Sequence, residues 1–298
     1  VRIWSLDDPD NPPISAHVDG VQAWSADETS VLSWSLDTVY ITSLDDPENP
    51  LILQHEDWVR GAAWSADETQ VLSWSNNGTV HVWTLNDPDN PLVLRHENVE
   101  WVSGALWNTD ETKVISWSDD NIVRVWSLDD PSNPLILQHN SDVTGAIWNA
   151  DSTQVLSWSI DNTVRVWSLD DPDNPLILQH DNWVDGAMWN AGETQVLSWT
   201  DFTAYIWTLD APTDPLILQH DFISGVAWNA NETHVLSWSS DGTARVWTVD
   251  MDELIALGCS SIKRPPFTVE EREGFILSAN ANLSMCEGIG VTVGVASP

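Results

Sequence analysis

Apolar and polar residues alternate along most of this chain, in runs of four to seven residues separated by short polar turns. Arg165 is typical, set between Val164 and Val166 and followed by Trp167. A period of two sends successive side chains to opposite faces of a strand, and Val, Ile and Trp suit a half-buried pleated surface. Four such strands follow one another at Leu176–Gln179, Val184–Trp189, Val196–Thr200 and Ala204–Thr208. The third carries the motif Val-Leu-Ser-Trp-Ser, which begins at Val31, Val71, Val155 and Val235, with close variants at Val114 and Val196. Its spacing gives a repeat of about forty residues. Upstream runs Gly-x-x-Trp, ending at Trp64, Trp107, Trp148, Trp189 and Trp228, with a copy one residue longer ending at Trp24. Downstream runs Val-x-Val-Trp or a variant, ending at Trp83, Trp126, Trp167, Trp207 and Trp247, with an orphan copy ending at Trp4.

Tight turns such as Ala66-Asp67-Glu68-Thr69 separate the second and third strands. Connectors such as Asp170–Pro175 separate the fourth from the next first, and thirteen of the 16 prolines sit there, where they disturb no ladder. No helix-period segment interrupts the repeats. The expectation is an all-β fold: a β-propeller of four-stranded antiparallel blades, six of them full, preceded by one orphan strand.

Composition adjusts this picture in three ways. All 21 tryptophans occupy repeat positions, so no sugar-binding aromatic box is needed to explain them. The 46 acidic residues against 10 basic ones, a net charge of −36, argue against nucleic acid or anionic lipid as a direct partner. No apolar run approaches the ~18 residues of a membrane span, and two cysteines, Cys259 and Cys286, make no disulfide scaffold or CxxC motif and read as free thiols. A cytoplasmic location is the expectation.

The order His, Gly-x-x-Trp, Ser-Trp-Ser, Asp-Gly-Thr and final Trp resembles the WD-repeat β-propeller family over residues 1–250. The family's Gly-His is here Gln-His or Arg-His, and its closing Trp-Asp is Trp-Ser or Trp-Thr. The resemblance implies a buried tetrad at His96, Ser116, Asp120 and Trp126, at His139, Ser157, Asp161 and Trp167, and at His220, Ser237, Asp241 and Trp247. His55, Ser73 and Trp83 match with Asn77 for the Asp; His180, Ser198, Asp201 and Trp207 match with the turn one residue short. The first set, His17, Ser33 and Asp37, has Thr42 for the Trp. A buried polar network stabilises when every member has a partner, so the incomplete sets predict softer blades. The small Gly-Ala pair of the second strand suits the crowded innermost position.

Beyond the repeats, Asp250 with Glu253 and Thr268 with Glu271 fit capping boxes, so residues 251–298 are expected to form a tail with two short helices. This tail resembles the closing segment of bacterial WD-repeat proteins, in which the propeller follows a signalling NTPase or kinase domain. The start in mid-blade predicts the C-terminal part of a longer protein.

Catalytic and metal chemistry finds little support. Six of the eight histidines fall one per repeat, and His81 and His234 lie in strands without a nearby ligand residue, so no metal site or cofactor is expected. Serine, histidine and aspartate recur together from repeat to repeat, whereas a hydrolase needs one triad. The Asp-Asp-Pro-Asp-Asn-Pro connectors lack the Gly and distant Glu of an EF-hand loop and read as solvated turns.

The acids are unevenly spread. Fifteen lie in the strand 4–1 connectors and nine in the strand 2–3 turns, together just over half of the 46. Both sets fall on one rim, called lower here, and their repetition is read as solubility or salt adaptation. The opposite, upper rim varies from blade to blade. It carries Leu36, Asn76, Asp119, Ile160, Thr200 and Ser240 at the strand 3–4 turns. Arg60, Ser103, Thr144, Asp185 and Ser224 follow the strand 1–2 loops, with Trp58, Trp101 and Trp183 beside them in three blades. A repeated small-ligand site would be alike in each blade, so variation favours another protein or peptide as partner over the alternative, a lectin-like, carbohydrate-binding propeller. The expectation is a non-enzymatic interaction scaffold or sensor, monomeric, with association through open blade edges as the route to larger assemblies.

Overall fold

The computed structural model describes residues 2–3, 14–15, 20–97, 99 and 101–250. Every element among them is a β-strand, and no helix is long and apolar enough to cross a membrane. The expected tail helices, both cysteines, Trp4 and His17 lie outside the described residues.

The chain divides into two compact units, Val1–Gln219 and His220–Pro298. In the first, β1 (Arg2–Ile3) pairs with β2 (Ile14–Ser15). Five four-stranded antiparallel sheets follow. Blade I comprises β3 (Gly20–Trp24), β4 (Ser30–Ser35), β5 (Thr38–Ser43) and β6 (Leu51–Gln54). Blade II comprises β7 (Val59–Trp64), β8 (Gln70–Ser75), β9 (Thr79–Thr84) and β10 (Asp87–Arg95). Blade III comprises β11 (Val102–Trp107), β12 (Lys113–Ser118), β13 (Ile122–Ser127) and β14 (Leu135–Gln138). Blade IV comprises β15 (Val143–Trp148), β16 (Gln154–Ser159), β17 (Thr163–Ser168) and β18 (Asp171–Gln179). Blade V comprises β19 (Gly186–Trp189), β20 (Gln195–Trp199), β21 (Thr203–Thr208) and β22 (Leu216–Gln219). In the second unit, blade VI pairs β23 (Ile223–Trp228), β24 (His234–Ser239) and β25 (Ala244–Thr248).

The sheets are offset by one strand from the sequence repeat. The Leu-Ile-Leu-Gln strand that opens each repeat is the outer strand of the preceding blade: Leu137 pairs with Val123, and Leu178 with Val164. Within the first unit the core lies between successive blades. Ile115, Val123 and Leu137 of blade III pack with Val143, Ala146, Val155 and Trp167 of blade IV. The same arrangement joins blades I and II, II and III, and IV and V. Trp83, Trp126, Trp167 and Trp207 therefore each fill the seam with the blade before their own.

The recurring glycine of the inner strand has a more local cause than crowding of the blades. A Cβ on Gly61, Gly104, Gly145, Gly186 or Gly225 would collide with the indole of Trp74, Trp117, Trp158, Trp199 or Trp238 on the next strand. The ladder bulges just before this glycine in blades II, III, IV and VI, and the indole lies over the bare backbone.

Candidate functional site

Two sets of residues are candidates: the His–Ser–Trp sets inside the seams and the variable upper rim. The histidines stand at the ends of outer strands. Their backbone N–H groups donate to the strand 3–4 turn of the same blade, as His139 does to the Asn121 carbonyl at 2.8 Å and His180 to Asn162 at 2.8 Å. In the first unit their imidazoles reach into the next blade. His139 Nε2 lies 2.7 Å from the Ser157 hydroxyl, which accepts the Trp167 indole N–H at 2.8 Å. The corresponding pairs are His55 with Ser73 (2.6 Å), His96 with Ser116 (2.7 Å), His180 with Ser198 (2.7 Å) and His220 with Ser237 (2.7 Å). Trp83, Trp126, Trp207 and Trp247 donate to the same serines at 2.7–2.9 Å. Each set in the first unit thus bolts one blade to the next, where the sequence suggested a network closed within a blade.

The fourth member differs from set to set. In blade IV, His139 Nδ1 donates to Asp161 Oδ2 at 3.2 Å, and Arg165 donates to the same oxygen at 3.1 Å. In blade III a guanidinium intervenes: Arg124 donates to Asp120 and, at 2.9 Å, to His96 Nδ1. His220 reaches Asp241 through Thr243, with steps of 2.8 and 2.7 Å. In blade V, His180 Nδ1 donates instead to the Leu178 carbonyl at 3.0 Å, and Asp201 is exposed. In blade II, His81 takes the place of the arginine and stacks on His55 with ring centroids 4.1 Å apart. No sequence pattern announced that stack, although the Val-His-Val-Trp run puts His81 where Arg165 stands in blade IV.

Burial sets the protonation of these groups. It lowers the pKa of His55 and His96 to about 3, with smaller contributions from His81 and Arg124 respectively, and that of His81 and His180 to about 4. His139 is also lowered by burial, against the pull of Asp161. Burial alone would raise Asp161, but hydrogen bonds from His139, Thr163 and the Asn140 N–H hold it well below the usual carboxylate range. The serines at the centre, Ser73, Ser116, Ser157, Ser198 and Ser237, are fully buried. No group of three or more His, Cys, Asp or Glu that would hold a metal occurs among the described residues.

The lower rim is a structural network. In the strand 2–3 turns of blades I to IV an Asp carboxylate accepts from its own turn, as Asp67 does from Ser65 Oγ (2.9 Å), Thr69 N (3.0 Å) and Thr69 Oγ1 (2.8 Å). Asp27, Asp110 and Asp151 do likewise, and all four are held below the ordinary carboxylate pKa by these bonds. The next residue reaches the turn of the preceding blade. Glu68, Glu111 and Glu193 accept from the backbone N–H of Ala26, Ala66 and Ala150, and the Ser152 hydroxyl from Thr109 at 3.1 Å. These four have φ of 57°, 58°, 52° and 60°. A non-glycine residue kept there repeatedly points to a use for its side chain.

The upper rim is brought together by blade. The Arg60 guanidinium lies 5.1 Å from the Trp101 ring, and its Nε donates to Asn76 Oδ1 at 2.6 Å. The Asn76 N–H donates to the Trp58 carbonyl, so Trp58, Arg60, Asn76 and Trp101 form one patch across blades II and III. Trp58 and Trp183 are each 61% exposed, as is Leu36 at 57%, and Ser103, Thr144, Asp185, Ser224 and Ser240 are exposed too. Ile160 and Asp119 are half-buried. Thr200 is a correction. It is 2% exposed, because the one-residue deletion in blade V aligns it with buried Ser159 rather than with Ile160 at the rim.

Comparison with protein families places this geometry. The WD domain, G-beta repeat family matches residues 49–84, 133–168 and 215–248. The chain thus carries WD repeats, in antiparallel sheets consistent with β-propeller blades. WD-repeat propellers generally serve as non-catalytic platforms for protein interaction, and that coarse role is the one these repeats suggest. A comparison with curated proteins found no match.

Proposed function

We propose that this chain is a non-enzymatic, cytoplasmic protein-interaction scaffold or sensor whose working surface is the upper rim. The observation that carries it is the contrast between the rims: the lower repeats the same turn bonds, while the upper presents a different set of exposed side chains on each blade. A patch of Trp58, Arg60 and Trp101 has the composition of an interface hot spot. The recurring serine and histidine are unsuited to hydrolysis, since each serine is fully buried and already accepts an indole N–H.

Alanine at Arg60, Asp119 and Asp185 together should abolish capture of the native partner while leaving the melting curve intact. Loss of capture on neutralising Asp46, Asp87 and Asp171 instead would make the lower rim the working surface.

A further inference from the structure

We propose that Asn77 is a site of self-modification: the Gly78 backbone nitrogen attacks the Asn77 side-chain carbonyl, ammonia leaves, and water opens the resulting cyclic imide to an aspartate that completes the network of blade II. In blade IV, Asp161 Oδ1 accepts from Thr163 N at 3.0 Å and Thr163 Oγ1 at 2.5 Å, while Oδ2 takes the bonds from His139 Nδ1 and Arg165. Blade II repeats the first half of this arrangement. Asn77 Oδ1 accepts from Thr79 N at 3.2 Å, Thr79 Oγ1 at 2.6 Å and Ser75 Oγ at 2.6 Å, which leaves an amide nitrogen in the place of Asp161 Oδ2. His55, the counterpart of His139, is 3% exposed, and its Nδ1 has no hydrogen-bond partner among the described residues. The same holds for Nδ1 of His81, which stands where Arg165 does. Buried polar atoms left unpaired cost stability and call for an explanation. Blade IV shows which group this position takes: a carboxylate oxygen.

The following residue supplies the nucleophile. Asn77-Gly78 is the one Asn-Gly pair in the chain, and glycine has no side chain to shield its nitrogen. The bonds to Thr79 carry the Asn77 side chain across the Gly78 amide, and three donors on Oδ1 draw electron density from Cγ, as donors aimed at a developing oxyanion do. The Gly78 nitrogen adds to Cγ and passes its proton to the departing amide. The Cγ–Nδ2 bond breaks, ammonia leaves, and a five-membered imide remains. Asn77 is half-buried, so water reaches it. Attack of water at Cγ breaks the new bond to Gly78 and yields aspartate in an unaltered main chain. Attack at the backbone carbonyl yields isoaspartate, with an extra carbon in the main chain. The donors on Oδ1 favour attack at Cγ. Nothing is oxidised or reduced in either step.

The test incubates the whole chain, folded, in warm and mildly alkaline buffer and follows residue 77 by peptide mass spectrometry, with an enzymatic assay for isoaspartate. The peptide carrying residue 77 should gain about one dalton as ammonia is released, and aspartate should outnumber isoaspartate. In the same chain unfolded in urea, isoaspartate should dominate. Ser75→Ala removes one donor from Oδ1 and should shift the folded product towards isoaspartate. Gly78→Asn introduces the residue that blades III and IV hold at this place, Asn121 and Asn162 with φ of 68° and 67°, so the turn is kept. Its side chain crowds the nucleophile and should slow conversion about tenfold or more. Asn77→Asp supplies the product outright, and its melting temperature should hold or rise as His55 Nδ1 gains an acceptor. Residue 77 remaining asparagine in the folded chain would overturn the proposal, as would a folded product as rich in isoaspartate as the unfolded one. A lower melting temperature for Asn77→Asp would overturn it too, by showing that blade II is built for the amide.

Discussion

At the scale of the residue, the seam serine is the pivot. Ser157 is bonded by an imidazole of one blade and an indole of the next, in a fully buried site. Trp167→Phe keeps most of the apolar volume and removes one donor, so it should lower stability by roughly 1–3 kcal/mol in urea denaturation, without changing the fold. Gly145 makes a different case. A methyl group there has to displace the Trp158 indole, and Gly145→Ala should cost about 1–3 kcal/mol by overpacking, where an open strand position would gain from alanine. Glu111 can be tested both ways. Glu111→Gly releases the left-handed backbone but loses the bond to Ala66. If that bond justifies the conformation, the variant should melt lower than the parent; a higher melting temperature would show the bond contributes less than the strain.

At the scale of the element, the turns were easier to locate in the sequence than to interpret. Asp67-Glu68-Thr69 was legible as a tight polar turn, and the four-strand order followed from period two and proline-marked connectors. What the acids do there was not legible. Repetition of Asp-Glu-Thr reads equally as solubility, and only the placement of neighbouring blades shows Glu193 reaching Ala150 more than forty residues away. The partner assignment of the outer strand was hidden for the same reason: Leu-Ile-Leu-Gln has the same pattern whichever sheet it joins. Thr200 was misplaced because a single deletion shifts every later residue of the turn inward by one, and strand alternation then reverses its face. The lower-rim network carries its own prediction. Glu193→Ala should speed hydrogen exchange at the Ala150 amide markedly while leaving the strand amides of blade IV protected, since only the turn-to-turn bond is lost.

At the scale of the whole molecule, the buried imidazoles make stability depend on pH. In the folded protein His55, His81, His96 and His180 stay neutral down to about 3–4, against 6.5 for an unperturbed histidine. The unfolded chain binds more protons once the pH drops below about 6.5, so their stabilising effect is complete above that value and lost progressively towards about 4. Urea midpoints should therefore be flat between about pH 7 and 8 and fall steadily from about 6.5 to 4.5, with a smaller fall for His81→Gln. The offset between repeat and sheet reaches beyond equilibrium. A ribosome delivers the outer strand of each blade, and the histidine that bolts it onward, only as it begins the following repeat. Every sheet in the first unit must wait, three strands complete and its edge open, for the next stretch of polypeptide to emerge, so assembly proceeds in the direction of synthesis with one repeat always unfinished.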